Sequence, residues 1–159
     1  MIASPPAAWS HLPFFARDWP EIAQRLSGGQ ADFAPAPDRI FRALDMAPPD
    51  RVRVVILGQD PYPTPGNADG LAFSVPADRP LPASLRNIFT EMRADIGRCP
   101  ESGDLSGWAR QGVLLLNSAL TVPHRAPGGH AHHHHGDDDH DHGRGHHHHG
   151  HDHHDHAHG

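Results

Sequence analysis

Two short apolar runs, Val52–Leu57 and Val113–Leu116, constrain most strongly what this chain folds into. β-Branched residues and leucine dominate them, and the first run is typical of a strand buried on both faces of a parallel sheet. Stretches with helical spacing precede and separate the two runs, and helices that alternate with buried strands indicate an α/β fold. We therefore expect a parallel-sheet core flanked by helices, with these two strands as neighbours.

Helices are predicted over Glu21–Leu26, over residues 38–46 with Asp38 as the cap, and over residues 82–96. The last helix carries a single apolar stripe, formed by Leu85, Ile88, Phe89, Met92 and Ile96. Residues 1–19 are rich in proline and aromatic residues and are expected to pack as an irregular arm. Helical segments thus lie before and after the first strand, as an α/β fold requires.

Polar side chains follow each predicted strand where the strand ends. Gln59 and Asp60 come after the first strand, and Asn117 follows the second. Ligands of open α/β sheets bind beyond the carboxyl ends of the strands. The layout therefore predicts a binding site at this edge of the sheet, with Asp60 and Asn117 close together.

The composition changes abruptly near residue 130. Residues 1–129 mix apolar, charged and turn residues, whereas residues 130–159 contain only His, Asp, Gly, Ala and Arg. This tail holds 6 of the 19 acidic and 1 of the 13 basic residues, so the preceding part is nearly neutral. We expect residues 1–129 to form one incomplete domain, and residues 130–159 to be a disordered tail because it has nothing apolar to pack.

Two interpretations of the tail stay open. Clustered imidazoles such as His132, His133, His134 and His135 are ligands for divalent metals, which favours a metal-binding segment. A frameshift, a gene-model error or a repeat expansion would produce the same narrow composition. The first interpretation makes the protein a histidine-rich metal-binding protein, and the second gives the tail no function.

Other features exclude several classes of protein. Cys99 is the only cysteine, so no intrachain disulfide forms and a reducing, cytoplasmic setting is expected. The start of the chain lacks the basic and apolar regions of a signal peptide, and no apolar stretch approaches the length of a membrane span. We expect a soluble monomer without a membrane partner.

Three motifs resemble, in order, the active-site motifs of family 1 uracil-DNA glycosylases: Gly58–Tyr62 with the sequence GQDPY, Gly70–Val75 with GLAFSV, and Leu114–Asn117 with LLLN. The resemblance implies that the chain removes uracil from DNA in base excision repair by hydrolysing the N-glycosidic bond of deoxyuridine. It implies uracil-containing DNA as the partner and no metal or organic cofactor.

The resemblance also implies a role for each motif residue. Asp60 would be the catalytic carboxylate, which stabilises the cation-like sugar and orients the attacking water. Gln59 would contact uracil through its backbone, and Tyr62 would lie beside C5 and exclude the methyl group of thymine. Phe73 would stack on the flipped base, and the Asn117 amide would pair with N3–H and O4 of uracil.

Ser84, in the proline-rich stretch Pro80–Leu85, would contact a DNA phosphate at the start of a helix. Four of these residues also have a plainer interpretation. Asp60 suits a turn, Phe73 an apolar core, Asn117 a strand end and Ser84 a helix N-cap.

The chain departs from the family pattern in several places. Pro63 stands where the family often has histidine, and Gly128–His130 reads Gly-Gly-His where the family reads near Gly-Ser-His. The resemblance covers residues 38–130 and the family's His-Pro-Ser-Pro loop is missing, so the domain is expected to be truncated. Such a chain is expected to have little or no glycosylase activity, and an inactive remnant that binds uracil or DNA weakly is an alternative.

Overall fold

The computed structural model describes residues 1–29 and 32–125, all of them within one unit of the chain, Met1–Gly129. The tail predicted to be disordered, including His132–His135, lies outside the described residues. The helices and strands, in chain order, are α1 Pro13–Arg17, α2 Trp19–Gly28, β1 Phe33–Ala34, α3 Arg42–Met46, β2 Val54–Gly58, α4 Ala83–Ile96, α5 Ser106–Arg110, β3 Val113–Asn117 and β4 Val122–Pro123.

Strands β2 and β3 are the two apolar runs, and they pair in parallel. Their register places Val54 opposite Val113 and Gly58 opposite Asn117, so both strands end at the same edge. The predicted pair of neighbouring parallel strands is therefore confirmed, and the architecture is the expected mixture of helices around a parallel core. A second, antiparallel pair joins β1 to β4.

The prediction that the first run is buried on both faces is wrong within the described residues. Val54, Val55 and Leu57 are 52%, 58% and 66% exposed, whereas Leu114 and Leu115 on β3 are buried. Helices α3 and α5 pack against β3, and β2 hydrogen-bonds to β3 alone among the described strands. Among the described residues, apolar side chains on both faces of β2 are therefore exposed.

Three helix predictions need correction at their ends. Glu21–Leu26 lies inside the longer helix α2. Residues 38–46 divide into a 3-10 turn, Pro37–Arg39, and helix α3, and the Asp38 side chain makes no capping hydrogen bond. The arm at residues 1–19 contains helix α1 and a helical turn instead of being irregular throughout. Prolines at the starts of these segments favour helical turns because their φ is already fixed near the helical value.

Helix α4 is the long helix that the apolar stripe predicted. Leu85 and Phe89 are buried in the main core, and Ile96 at the end of the stripe is 54% exposed. Gly97 ends the helix in a left-handed conformation, which glycine adopts without steric cost. The first turn of α4, with Ser84, lies beside the carboxyl ends of β2 and β3, where Ser84 lines the same pocket as Gly58 and Asn117.

A second core lies under the N-terminal helices. Phe15 and Trp19 contact Phe41 edge to face, with ring centroids 5.1 and 4.5 Å apart. Ile40 completes this cluster and also lines a recess beyond the carboxyl ends of β2 and β3. The aromatic cluster therefore holds Ile40, which lies just before α3, in the wall of that recess. No helix among the described residues is long and apolar enough to cross a membrane.

Candidate functional site

A pocket lies at the carboxyl ends of β2 and β3. Six of the residues that line it are those singled out in the sequence: Gln59, Asp60, Tyr62, Phe73, Ser84 and Asn117. The pocket is open to solvent and has a cavity volume of about 360 Å³, within the range of roughly 300–1,000 Å³ that small-molecule sites occupy. The structure therefore brings together all six residues.

An inner recess continues from this pocket toward the core. It shares Asp60, Tyr62, Phe73 and Asn117 with the outer pocket and adds an apolar wall. The wall is formed by residues that include Pro35, Ile40, Leu71, Leu116 and Leu120. The recess thus offers apolar packing surface on one side and an amide and a carboxylate on the other.

The loop that carries Gln59 and Asp60 is held by the residues that follow β3. Ser118 Oγ and the Ala119 N–H both donate to the Gln59 carbonyl, at 2.8 and 2.9 Å, and the Ser118 N–H donates to the Gly58 carbonyl at 3.0 Å. The two donors occupy the carbonyl of Gln59, so a ligand would meet its backbone through the N–H. Both Gln59 and Asp60 are exposed, and both line the pocket.

The ring of Tyr62 is half-buried and its hydroxyl is fixed at two points. It donates to the Phe73 carbonyl at 2.9 Å and lies 3.2 Å from Ser84 Oγ. Burial raises the pKa of the Tyr62 phenol, the hydrogen bond with Ser84 opposes that shift, and the charge of Asp69 adds to it. Tyr62 is therefore a neutral, immobilised ring at neutral pH.

Phe73 has an unusual backbone for an aromatic residue. Its φ is +66°, in the left-handed region, where a residue with a side chain costs of order 1–3 kcal/mol. On one side the Ala72 N–H donates to the Leu115 carbonyl of β3, and on the other the Ser74 N–H donates to the Leu71 carbonyl. Strain of this size persists only where the surroundings enforce it, which marks the turn as a functional candidate.

Asn117 is the last residue of β3 and lies half-buried opposite Gly58. A Cβ on Gly58 would overlap the side-chain oxygen of Asn117 and would lie 3.0 Å from the Cβ of Ala72. Glycine at this position therefore makes room for the Asn117 amide. The plain interpretation of Asn117 as a strand-end residue does not explain why its amide lines both the pocket and the recess.

Ser84 is exposed in the first turn of α4 but does not cap it. The N-cap residue is Pro82, and no side chain makes the capping bond. Because the hydroxyl of Ser84 contacts Tyr62 instead, the plain interpretation of Ser84 as an N-cap is wrong. The free N–H groups of the first turn of α4 lie beside it, as an anion contact requires.

Sequence reasoning missed a buried polar group behind the site. Asp69 is 2% exposed and accepts hydrogen bonds from the Leu71 N–H and from Ser74 Oγ, and an Arg42 nitrogen lies 3.3 Å from its carboxylate. Burial raises the pKa of Asp69, while the two hydrogen bonds and the charge of Arg42 oppose the rise. An aspartate before a glycine is typical of a turn, and this was the only, weak signal for Asp69 in the sequence.

The described residues hold no cluster of three or more histidine, cysteine, aspartate or glutamate side chains that could bind a metal. His124 pairs with Asp32, its Nδ1 2.6 Å from a carboxylate oxygen, where β4 continues beside β1. The histidines proposed as metal ligands, His132–His135, lie outside the described residues.

The sequence model of the uracil DNA glycosylase superfamily matches residues 44–143 of this chain. That range includes all six pocket residues singled out from the sequence. The chain belongs to this superfamily. The resemblance carried by the three motifs is thereby confirmed, and so is the α/β fold that it implied.

Relatives in the superfamily are similar over most of this chain. A uracil-DNA glycosylase of Ruegeria sp. is 56% identical over 123 residues, which are 77% of this chain and 53% of that protein. One from Bordetella pertussis is 54% identical over 136 residues, 81% of this chain and 53% of its own length. A crystal structure of mimivirus uracil-DNA glycosylase superposes with a TM-score of 0.64 at 31% identity, over 75% of this chain and 48% of that one. The chain spans about half the length of the curated relatives it matches.

Proposed function

We propose that this protein is a uracil-DNA glycosylase, which hydrolyses the N-glycosidic bond of deoxyuridine in DNA and releases uracil. One observation carries the proposal: Asp60, Tyr62, Phe73 and Asn117, from three separate motifs, line one pocket at the carboxyl ends of β2 and β3. Relatives more than 50% identical over this part of the chain bear the name of that enzyme. In the proposal, residues 1–129 form an incomplete glycosylase domain, which carries these four residues.

Asp60 supplies the charge for the reaction. As the glycosidic bond breaks, positive charge develops on the sugar, and a fixed carboxylate stabilises it and orients a water toward the anomeric carbon. The exposed carboxylate of Asp60, which lines the pocket, suits this role, because the sugar stays outside while the base enters. The donors on the neighbouring Gln59 carbonyl hold the loop that presents the carboxylate.

Three side chains recognise the base. Phe73 provides a stacking surface, which every base would use, so the choice of base falls to the other two. The Asn117 amide pairs with N3–H and O4 of uracil, whereas cytosine would set donor against donor and acceptor against acceptor. Tyr62, held through its hydroxyl, leaves no room for the methyl group of thymine.

The DNA backbone binds beside the pocket in this proposal. Ser84 and the free N–H groups at the start of α4 contact a phosphate. The enzyme acts as a monomer in the cytoplasm and uses no metal or organic cofactor. Binding of divalent metal by His132–His135 is a separate proposal, and titration of the chain with Zn²⁺, before and after these four residues are replaced by alanine, tests it.

Recognition of the base is tested on the 159-residue chain by ¹⁹F NMR with 5-fluorouracil as the probe. We expect the probe to bind and to be displaced by uracil, but not by thymine or cytosine. Asn117→Ala should abolish binding, and Asn87→Ala, which removes an exposed amide on α4, should leave it unchanged. Equal displacement by all three bases, or binding that survives Asn117→Ala, would contradict the assignment of the pocket.

Catalysis is tested in a chimera, because the chain spans about half the length of its relatives. The chimera joins residues 1–125 to the part of the Ruegeria relative that lies beyond the matched region. Uracil release from a single-stranded oligonucleotide is measured under single-turnover conditions, which avoids the need to open a duplex. The chimera is expected to release uracil, and its variants then report on the residues of this chain.

A further inference from the structure

Asp69 is a buried carboxylate with a complete set of partners. Oδ1 accepts from the Leu71 N–H at 3.1 Å, and Oδ2 accepts from Ser74 Oγ at 2.7 Å. Arg42 Nη1 lies 3.3 Å from Oδ2 and also donates to the Asp69 backbone carbonyl at 3.1 Å. A buried charge persists only where it is paired and hydrogen-bonded, so this arrangement is built around the carboxylate.

The partners of Asp69 flank Phe73. Leu71 and Ser74 lie on either side of it, and together they hold the Phe73 loop, defined here as residues 69–75, in the turn that gives Phe73 its φ of +66°. Ser74 Oγ also accepts from the Leu105 N–H at 2.9 Å. One carboxylate thus ties the loop to α3 through Arg42 and, through Ser74, to the segment before α5.

The Phe73 loop in turn holds Tyr62. The Phe73 carbonyl accepts the hydrogen bond from the Tyr62 hydroxyl, so the peptide that carries the Phe73 ring also fixes the Tyr62 ring. Both rings line the pocket, and the carboxylate of Asp69 does not. A change at Asp69 is therefore expected to shift the rings of both Phe73 and Tyr62, because the Phe73 peptide group is connected to both.

We propose that Asp69 is a positioning residue for base recognition, which holds the Phe73 loop and through it the rings of Phe73 and Tyr62. This inference rests on the uracil-binding function proposed for the pocket. It assigns the discrimination between uracil and thymine partly to a buried carboxylate that touches neither base. Arg42 and Ser74 contribute to the same positioning, because both contact the Asp69 carboxylate.

Three variants of the 159-residue chain test the role. Asp69→Asn keeps the shape but sets an amide against Ser74 and Arg42, and Ser74→Ala removes the link from Asp69 to Leu105. Asp50→Asn is the control, because Asp50 is an exposed carboxylate that neither pairs with Asp69 or Arg42 nor lines the pocket. Near-UV circular dichroism reports whether each variant keeps its fold.

The decisive readout is the binding of 5-fluorouracil and its displacement by thymine, followed by ¹⁹F NMR. Asp69→Asn and Ser74→Ala should each weaken binding of the probe about tenfold, as loss of a buried hydrogen bond does, and thymine should now displace it. Asp50→Asn should bind and discriminate as the wild type does. A general loss of stability would lower the amount of folded protein but would not let thymine compete.

Tyr62 gives a second readout that needs no ligand, because it is the only tyrosine of the chain. Its phenol titration is followed by ultraviolet absorbance. Asp69→Asn should lower the pKa of Tyr62, because the substitution removes a negative charge and loosens the ring. Two groups act directly on the pKa of Tyr62, namely Ser84 and Asp69. Arg42 and Asp104 act on it indirectly, because their charges shift the pKa of Asp69.

The outcomes separate the two proposals. If the wild-type chain does not bind 5-fluorouracil, the uracil-binding function fails and the role of Asp69 fails with it. If the wild type binds but folded Asp69→Asn and Ser74→Ala bind and discriminate as it does, only the role of Asp69 is overturned. Loss of the near-UV signal in both variants would also overturn it, because the network would then hold the whole fold.

Discussion

Gly58 and Asn117 lie opposite one another at the last rung of the parallel strand pair, and the missing side chain of Gly58 leaves the space that the Asn117 amide occupies. A strand end normally tolerates alanine in place of glycine. Here a Cβ would overlap the amide oxygen. The glycine that opens the first motif and the asparagine that closes the third are therefore one structural unit.

Gly58→Ala should displace the Asn117 side chain and slow uracil release by the chimera about 10²-fold, the usual effect of a 1 Å misplacement. The free energy of unfolding should fall by about 1–3 kcal/mol, as for other overpacked sites. Single-turnover rates and urea denaturation measure the two effects. Gly107→Ala is the control, because nothing lies within 4 Å of a Cβ there; a Gly58→Ala chimera of undiminished rate would contradict the steric argument.

Asn117→Asp should let the chimera release cytosine from DNA while it keeps some activity on uracil. A protonated aspartate donates where the ring nitrogen of cytosine accepts, and its second oxygen accepts from the amino group. The measurement is base release from oligonucleotides that contain a single deoxycytidine, with the Asn87→Ala chimera as the control. No cytosine release from a folded Asn117→Asp chimera would remove Asn117 from base recognition.

Tyr62→Ala should let the chimera release thymine. The ring of Tyr62 is held by the Phe73 carbonyl at 2.9 Å, so it cannot move aside for a methyl group at C5. Excision is compared on oligonucleotides with one deoxyuridine or one central thymidine. Tyr62→Phe keeps the ring but loses the hydroxyl, so it should discriminate better than Tyr62→Ala; equal thymine release by both would show that the ring is not the barrier.

The stability of the chain should depend on pH through Asp69. Burial raises the folded-state pKa of Asp69 above 3.8, so the folded state holds the proton more tightly than the unfolded state. Its contribution to stability is fully present below 3.8 and is lost as the pH rises through the folded pKa. The unfolding free energy of the wild type, minus that of Asp69→Asn, should therefore fall across this interval in urea denaturation.

Asp104 provides a control of opposite sign for that measurement. Burial acts to raise the pKa of Asp104, but hydrogen bonds from Ser106 and the charges of Arg42 and Arg110 outweigh it and lower the pKa. Its contribution is present above 3.8 and is lost as the pH falls through the folded pKa. If Asp69→Asn and Asp104→Asn shift the curve in the same direction, the raised pKa of Asp69 is wrong.

Local signals explain what the sequence predicted well. The strand pair and the polar residues at its end were predictable, because an apolar run and the residues that follow it are recognised from a few neighbouring positions of the sequence. The pocket then followed from the rule that parallel strands deliver their ends to one edge. The length of α4 followed in the same way from an apolar stripe at helical spacing.

The rest depends on contacts between distant positions. Arg42 meets Asp69 across 27 residues of chain and Leu105 meets Ser74 across 31, and no local pattern marks either pair. The left-handed backbone of Phe73 was not predictable, because an aromatic residue has no preference for it and the surrounding loop imposes it. The exposure of Val55 depends on what packs against β2, which a strand pattern does not contain.

We claim that the pocket lined by Asp60 and Asn117 excises uracil, and single-turnover uracil release by the chimera, with and without Asp60→Asn, tests this. Asp50→Asn is the matched control, since Asp50 is an exposed carboxylate before the other end of β2. Asp60→Asn should lower the rate by a factor of about 10² or more, as expected for loss of electrostatic stabilisation, while Asp50→Asn should leave it unchanged. Equal rates for the two variants, or no release by a folded chimera, would contradict the claim.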